Sequence, residues 1–381
     1  MWEYCGIIIP QLWVKREPKP LTAKYVRQIV REIPSYPQRI PLKKEKILAK
    51  LNSNETPITP SRQVIARLTN ALPGVNRYPG NPASLLAKIA DYVSLKPVNV
   101  LLGSGSDELI DIAVKTFINP GDEAIISIPT FQMYEFFTKL ANGRVKLVNM
   151  KKKFSWDIQS ILSSISNKTK VVFFCSPNNP TGNVIKENDV LKVIEKNVMV
   201  ILDEAYVEFS GKSLSPLITK YDNVVVFRTF SKIFGLAGLR VGYILGDTEL
   251  INLMKRVMPP FSVNVLALKA AEAAIEDMQF LRQVEKLIKV GKNYLYSELS
   301  KIEEVQGYPS EANFILIDIQ KTGINSTKMF EALLRQGVLV RDCSSFRGLG
   351  TNYIRVTVGT MSENELFIKV LKNILKRRNV K

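Results

Sequence analysis

The sequence lacks histidine altogether, and the 381-residue chain has only three cysteines, Cys5, Cys175 and Cys343. Without histidine there is no Ser-His-Asp or Cys-His catalysis and no His-bearing zinc or iron site. No unperturbed side chain titrates near neutrality, so proton transfer at pH 7 needs a perturbed Lys, Cys, Asp, Glu or Tyr. Three scattered cysteines make neither a metal cluster nor a disulfide framework, which fits a reducing, cytoplasmic setting. No metal site is expected. Long hydrophobic runs are missing too. The apolar stretch 7–14 is too short to span a bilayer and lacks a basic flank before it or a small-residue cleavage site after it, so no membrane association is expected.

What is there is basic and globular. Lys plus Arg number 53 against 35 Asp plus Glu, a net charge of +18, with 46% hydrophobic residues. Twelve of the excess charges sit in residues 1–50 and 371–381. A basic balance can mark a nucleic-acid binder. Here no aromatic-basic interleaving accompanies it, so it reads as a solvated lysine-rich surface, and no nucleic-acid partner is expected.

The pattern along the chain predicts three parts. Residues 21–33 carry Tyr25, Val26, Ile29, Val30 and Ile33 on one helical stripe, ended by Pro34 and Pro37. Residues 1–46 are therefore an N-terminal arm and helix. From 47 to 255, short apolar strands alternate with amphipathic helices: strands at 98–102, 124–128, 171–174, 198–202, 224–227 and 243–245, and a helix at 107–117. Unbroken apolar strands imply a sheet covered on both faces, and βα alternation implies a mostly parallel one, so the fold class is α/β. Residues 256–381 read as a smaller α+β domain, with strands at 314–319, 338–341 and 353–358 and helices near 326–336 and from 362. Ligands in such sheets sit at the carboxyl ends of the strands.

Four constellations fall at those ends. Residues 103–108 (GSGSDE) open a helix after a strand, where free N–H groups and the helix dipole favour an anion; an ordinary helix start capped near Asp107 is the bland alternative. Residues 176–182 (SPNNPTG) form a rigid turn that presents an Asn. Residues 203–206 (DEAY) set Asp203 and Tyr206 three apart. Residues 229–242 (TFSKIFGLAGLRVG) isolate Lys232 in an apolar, glycine-rich stretch, with Arg240 eight residues on. Such a lysine has its pKa depressed by desolvation or pairs with an acid, and a depressed amine is a nucleophile toward an aldehyde. A snorkelling surface lysine is the alternative. An anion cradle, an acid, hydroxyl and amide donors and an amine nucleophile together suit pyridoxal phosphate.

With 51–55 (LNSNE), 77–79 (RYP), 129–134 (PTFQMY), 340–342 (VRD) and 354–359 (IRVTVG) added, the sequence resembles the class I/II aminotransferases of pyridoxal-phosphate fold type I over about residues 24–370. Among them it is most similar to the histidinol-phosphate aminotransferases. The resemblance implies a large cofactor-binding domain whose mostly parallel sheet is sandwiched by helices, beside the smaller domain. It implies that Lys232 joins the cofactor and moves the substrate proton, and that Asp203 pairs with the pyridine nitrogen. Tyr206 and Asn179 would bond the phenolate oxygen, and Phe131 would stack on the ring. Ser106, Asp107, Thr229, Ser231 and Arg240 would hold the phosphate, with Tyr78 reaching it from the other subunit of a homodimer. Arg355 would clamp the carboxylate of glutamate or 2-oxoglutarate. Arg341 and Tyr36 would face the phosphate of a phosphorylated amino acid, with Asn54 and Asn313 nearby. Arg355 as a strand-edge charge, Arg341 paired with Asp342 or Glu55, and Tyr36 as arm packing are the bland alternatives. Threonine-phosphate decarboxylases and aromatic aminotransferases share much of the pattern, and a basic nucleic-acid-binding regulator on the same fold is the remote rival.

Overall fold

The computed structural model describes residues 24–33 and 46–378. The chain divides after Tyr36 into two units, and the described residues of each are taken separately. In the first, the helix is Gln28–Glu32 alone, with extended backbone at Arg27 and no buried residue. The longer helix expected over 21–33 is corrected at its described part. Tyr25 is 76% exposed, so the apolar stripe buries nothing, and five residues cannot propagate a helix far. Residues 21–23 and Tyr36 lie outside the described residues.

The second unit is built on a seven-stranded sheet. In chain order its strands are β2 (Val100–Gly103), β3 (Glu123–Ile128), β4 (Arg144–Asn149), β5 (Thr169–Cys175), β6 (Met199–Asp203), β7 (Val224–Thr229) and β8 (Gly242–Gly246), arranged β2-β8-β7-β6-β5-β3-β4. Only β8 runs antiparallel, to both β2 and β7. Hence β2, β7, β6, β5, β3 and β4 all point the same way. Successive residues serve opposite cores. Leu101, Ile126, Phe173, Ile201, Phe227 and Ile244 pack on one face; Leu102, Ile125, Phe174, Leu202, Val226 and Leu245 pack on the other. Each such side chain contributes about 1.5–3 kcal/mol by leaving water, and covering both faces requires the unbroken apolar runs seen in the sequence. β4 was not expected. It borders β3 only and is mostly half-exposed, so its sequence lacks the buried signature.

A second sheet of four strands is ordered β12 (Arg341–Asp342), β13 (Tyr353–Thr357), β10 (Phe314–Asp318) and β9 (Gln306–Gly307), all antiparallel pairs. The single strand expected over 338–341 is two. β11 (Val338–Leu339) leaves the sheet to pair in parallel with β1 (Ala49–Lys50), and Leu51 O then accepts the Thr357 N–H at 2.9 Å. That pairing draws residues 49–51 onto the C-terminal part of the chain. Helices Val265–Glu276, Met278–Leu299, Ser326–Leu334 and Met361–Arg378 complete it.

One buried ion pair ties the ends of β6 and β7. Arg228 Nη2 lies 2.9 Å from Glu204 Oε2, with side chains only 7% and 2% exposed. Glu204 also accepts from the Leu214 N–H at 2.5 Å and from Ser213 Oγ. Breaking a buried pair leaves a charge without compensation. Arg228→Met is therefore expected to lower unfolding free energy by about 3–5 kcal/mol, read as a reduced denaturation midpoint in urea. A loss below about 1 kcal/mol would show that the pair behaves as a surface bridge.

Candidate active site

Because β2, β3, β5, β6 and β7 run parallel, the turns after them open on one edge of the sheet. These turns are 103–108, 129–134, 176–182, 203–206 and 229–242. Ser106, Asp107, Phe131, Asn179, Asp203, Tyr206, Thr229, Ser231, Lys232 and Arg240 all lie in them.

Asp203 closes β6 and is 4% exposed. Its Oδ1 accepts the Ala205 N–H at 3.0 Å, and its Oδ2 accepts from the Tyr134 phenol. Burial pushes the carboxyl above its ordinary range, while Tyr134, the Ala205 N–H and the Lys232 charge hold it down. Tyr134 was missed as a functional residue. It is fully buried, stacked on Phe173 at 4.9 Å and edge-on to Phe131 at 5.7 Å. In the sequence it sits on the apolar stripe of helix Met133–Leu140, where a tyrosine reads as core. Its spacing of three from Phe131, one helical step, is the signal that could have found it.

Lys232 follows β7. Its Nζ donates to Ser53 O at 3.3 Å and lies 5.5 Å from the centre of the Tyr206 ring. The side chain is half-buried and opens on the crevice. Its pKa is lowered to about 8, by burial first and then by the charge of Arg355, with Arg240 adding and Glu55 and Asp203 opposing. The snorkelling alternative is set aside by this setting. Tyr206 is buried, edge-on to Phe314, and its Oη accepts from Asn54 Nδ2 at 2.9 Å.

The anion end lies beside helix Gly105–Phe117. Its N-cap, Ser104, makes no side-chain cap bond, which leaves first-turn N–H groups near Ser106 and Asp107 for a ligand. Gly105 has φ +79°, a left-handed backbone that calls for glycine, and the Arg240 guanidinium reaches to within 2.5 Å of where a Cβ would stand. Arg240 Nη2 sits 3.3 Å from Asp107 Oδ2. Thr229 and Ser231 are buried, with Thr229 Oγ1 accepting the Ser231 N–H at 3.0 Å.

At the opposite end, Arg355 lies in β13, an inner strand, and is 5% exposed. The edge-charge alternative therefore fails. Its guanidinium donates to Asn179 Oδ1 and to Asn52 O, the latter at 2.7 Å, and lies over Phe314. Arg341 is its register partner across β12–β13 and donates to Ser345 Oγ at 3.3 Å. Glu55 takes Lys50 at 2.6 Å, and Asp342 accepts from Ser326 and Thr327. Asn54 and Asn313 are buried together, Asn313 Nδ2 donating to Asn54 O at 3.1 Å. Asn313 Oδ1 is buried with no hydrogen-bond partner. Tyr78 stands apart from these contacts. It is 80% exposed and stacked on Phe261 at 4.8 Å.

Among the described residues no cluster of three or more acidic or cysteine side chains could hold a metal, and no helix is long and apolar enough to cross a membrane.

A family model described as aminotransferase class I and II matches residues 46–371. The chain belongs to the class I and II aminotransferases, a pyridoxal-phosphate-dependent family, and has their fold type I architecture. It is 40% identical over 342 residues to a histidinol-phosphate aminotransferase of Methanocaldococcus jannaschii, covering 88% of this chain and 91% of that one. It is also 40% identical to one of Methanosarcina mazei, covering 87% and 89%. Among solved structures, the histidinol-phosphate aminotransferase of Clostridium acetobutylicum superposes with a TM-score of 0.81 at 26% identity, over 87% of this chain and all of that one. The enzyme of Sinorhizobium meliloti in complex with pyridoxal-5'-phosphate, at 21% identity, shares the fold with a TM-score of 0.83, over 92% and 98%.

The donor set fits that cofactor. The cradle at Gly105 is one a Cβ would fill, Arg240 and the helix start suit a phosphate, Asp203 suits a ring nitrogen, and Lys232 suits an aldehyde. An amine lowered to about 8 loses its proton as pH rises through that value. The rate at which the cofactor-free chain captures pyridoxal phosphate is therefore expected to climb through pH 8 and level off above it. Stopped-flow absorbance reads this, and a profile still climbing at about pH 10, the ordinary lysine range, would overturn it.

Proposed function

We propose that the chain is a histidinol-phosphate aminotransferase of histidine biosynthesis, exchanging an amino group reversibly between glutamate and imidazole-acetol phosphate. The observation that carries the substrate is the β12–β13 register, which sets Arg341 opposite Arg355. Two guanidiniums on one cross-strand pair match a phosphate and a carboxylate taken in alternate half-reactions. The 37–40% identity of its named relatives supports the same substrate.

Bound pyridoxal phosphate supplies an electron sink for the charge that develops at the substrate α-carbon. The protein's part is assigned as follows. Lys232 takes the proton from that carbon and returns it on the other side of the exchange. Asp203, whose Oδ2 accepts from the Tyr134 phenol, would hold the pyridine nitrogen. Tyr206 and Asn179 would donate to the phenolate oxygen, and Phe131 would cover the ring. The main-chain N–H groups of Ser106 and Asp107, with Ser231, Arg240 and nearby Thr229, would hold the phosphate. Arg355 would clamp the carboxylate of glutamate or 2-oxoglutarate, and Arg341, with Tyr36, the phosphate of histidinol phosphate. Asn313, whose Oδ1 is buried without a partner, and Asn54 would lie near the substrate.

We also infer a cytoplasmic homodimer in which Tyr78 of one protomer faces the cofactor phosphate of its partner. The exposed Tyr78–Phe261 stack supports the interface, and the free buried thiols Cys175 and Cys343 suit a reducing compartment. The arm 1–46, large domain 47–255 and smaller domain 256–381 remain the proposed organisation, with residues 49–51 pairing into the C-terminal part.

Purified enzyme given histidinol phosphate and 2-oxoglutarate is expected to release glutamate, and to release no carbon dioxide from threonine phosphate. The opposite result selects the decarboxylase. Arg341→Ala is expected to lower kcat/KM for histidinol phosphate about 10- to 100-fold, the loss of one charge-assisted contact, while the glutamate half-reaction changes little. Equal loss in both half-reactions would remove Arg341 from the phosphate. Tyr134→Phe is expected to weaken pyridoxal phosphate binding about tenfold or more, measured by equilibrium dialysis. An unchanged affinity would dissociate Tyr134 from the work of Asp203.

A further inference from the structure

Residues 52–56 address the catalytic groups one after another. Asn52 O accepts from Arg355, Ser53 O accepts from Lys232, Asn54 Nδ2 donates to Tyr206 Oη, and Thr56 Oγ1 donates to Lys232 O. Asn54 is the hub. It is 1% exposed and holds φ at +55°, a left-handed backbone that asparagine tolerates better than most side chains. Its N–H donates to Thr357 Oγ1 at 2.9 Å, its Oδ1 takes that hydroxyl's own hydrogen at 3.2 Å, and its carbonyl accepts from Asn313 at 3.1 Å.

This arrangement fixes which way the amide faces. Thr357 Oγ1 accepts from the Asn54 N–H and gives its single hydrogen to Asn54 Oδ1. The NH₂ end must then point at Tyr206, where it is a donor only. The Tyr206 oxygen accepts there, so its one hydrogen is directed elsewhere. Burial raises the Tyr206 pKa, and the Asn54 hydrogen bond and the Arg355 charge oppose that rise. The phenol keeps its hydrogen, and Lys232 Nζ stands 5.5 Å from the centre of its ring.

We propose that Asn54 is a positioning residue that turns the single Tyr206 hydrogen toward the cofactor's phenolate oxygen. This rests on the reading of Tyr206 given above and changes the role of Asn54, which acts through Tyr206 rather than on the substrate. Thr357 and Asn313 hold Asn54 in turn.

The test is a spectrophotometric pH titration of the cofactor bound in the holoenzyme, for the unaltered protein, Asn54→Gly, Tyr206→Phe and the double variant. Glycine keeps the left-handed backbone and removes only the side chain. A donated hydrogen bond favours the deprotonated phenolate, so its loss raises the apparent pKa of the bound chromophore. Asn54→Gly is expected to raise it by about one pH unit, the size of one such bond. Tyr206→Phe is expected to raise it at least as far, and the double variant no further than Tyr206→Phe alone. Additive shifts, or a shift in Tyr206→Phe with none in Asn54→Gly, would overturn the proposal while leaving the reading of Tyr206 intact. No shift in Tyr206→Phe would overturn both. If Asn54→Gly does not fold, Asn54→Asp serves. It keeps the shape and the Thr357 bond but offers Tyr206 an acceptor. Its shift in the Tyr206→Phe background measures the added charge, and the excess over that shift in the Tyr206 protein is the positioning effect. An excess supports the proposal. A lower melting temperature without one would make Asn54 structural only and overturn it.

Discussion

The site turns on one ammonium that must not be too stable. An exposed lysine holds its proton three units above neutrality or more, and with no histidine in the chain no second base stands ready. Lys232 is drawn down to about 8 by burial and by the nearby guanidiniums of Arg355 and Arg240. The same guanidiniums are the groups that suit anions. When a carboxylate or phosphate joins them, their field at the amine weakens and the amine becomes more basic. Anion binding there and proton affinity at Lys232 are thereby linked, with the charges of Asp203 and Glu55 opposing the pull.

The geometry that permits this coupling comes from strand direction. Six of seven strands point one way, so the turns that carry Asp107, Asn179, Asp203 and Lys232 emerge along a single edge. Arg355 arrives from the four-stranded sheet and meets Asn179 by a direct hydrogen bond. Residues 52–56 close the arrangement through contacts with Arg355, Lys232 and Tyr206. Arg228 precedes Thr229 and Glu204 follows Asp203, so the buried pair that ties β6 to β7 adjoins both groups along the chain.

The sequence made local parts of this legible and distant ones not. Strand ends with glycine or proline turns, such as 176–182 and 229–242, announce themselves because backbone and chemistry are written in adjacent residues. The inner strands are equally plain, since burial on both faces leaves unbroken apolar runs. β4 escaped notice because its edge position leaves it half-exposed. The split of 338–341 into β11 and β12 depends on β1, nearly 300 residues away. Asn54 was found as a motif residue, but its bonds to Tyr206, Asn313 and Thr357 span 152 to 303 residues. No periodicity encodes such contacts. Tyr134 was hidden differently: core and function ask for the same buried aromatic, and only its partner tells them apart.

That partner gives the absence of histidine a structural sense. The carboxylate of Asp203 needs a neighbour that donates a hydrogen bond whatever the pH. An imidazole in that place would titrate within the range where enzymes work, near 6.5 when unperturbed. Its charge would change there, and Asp203 would feel the change. A buried phenol behaves otherwise. Burial and the adjacent carboxylate push Tyr134 well above the ordinary phenol value, so it remains a neutral donor throughout. Tyr206 is pushed the same way by burial. The groups around the amine are then either permanently neutral donors or permanently charged arginines. Lys232 is left as the amine whose protonation can follow the reaction, with its pKa drawn down to about 8 by its surroundings.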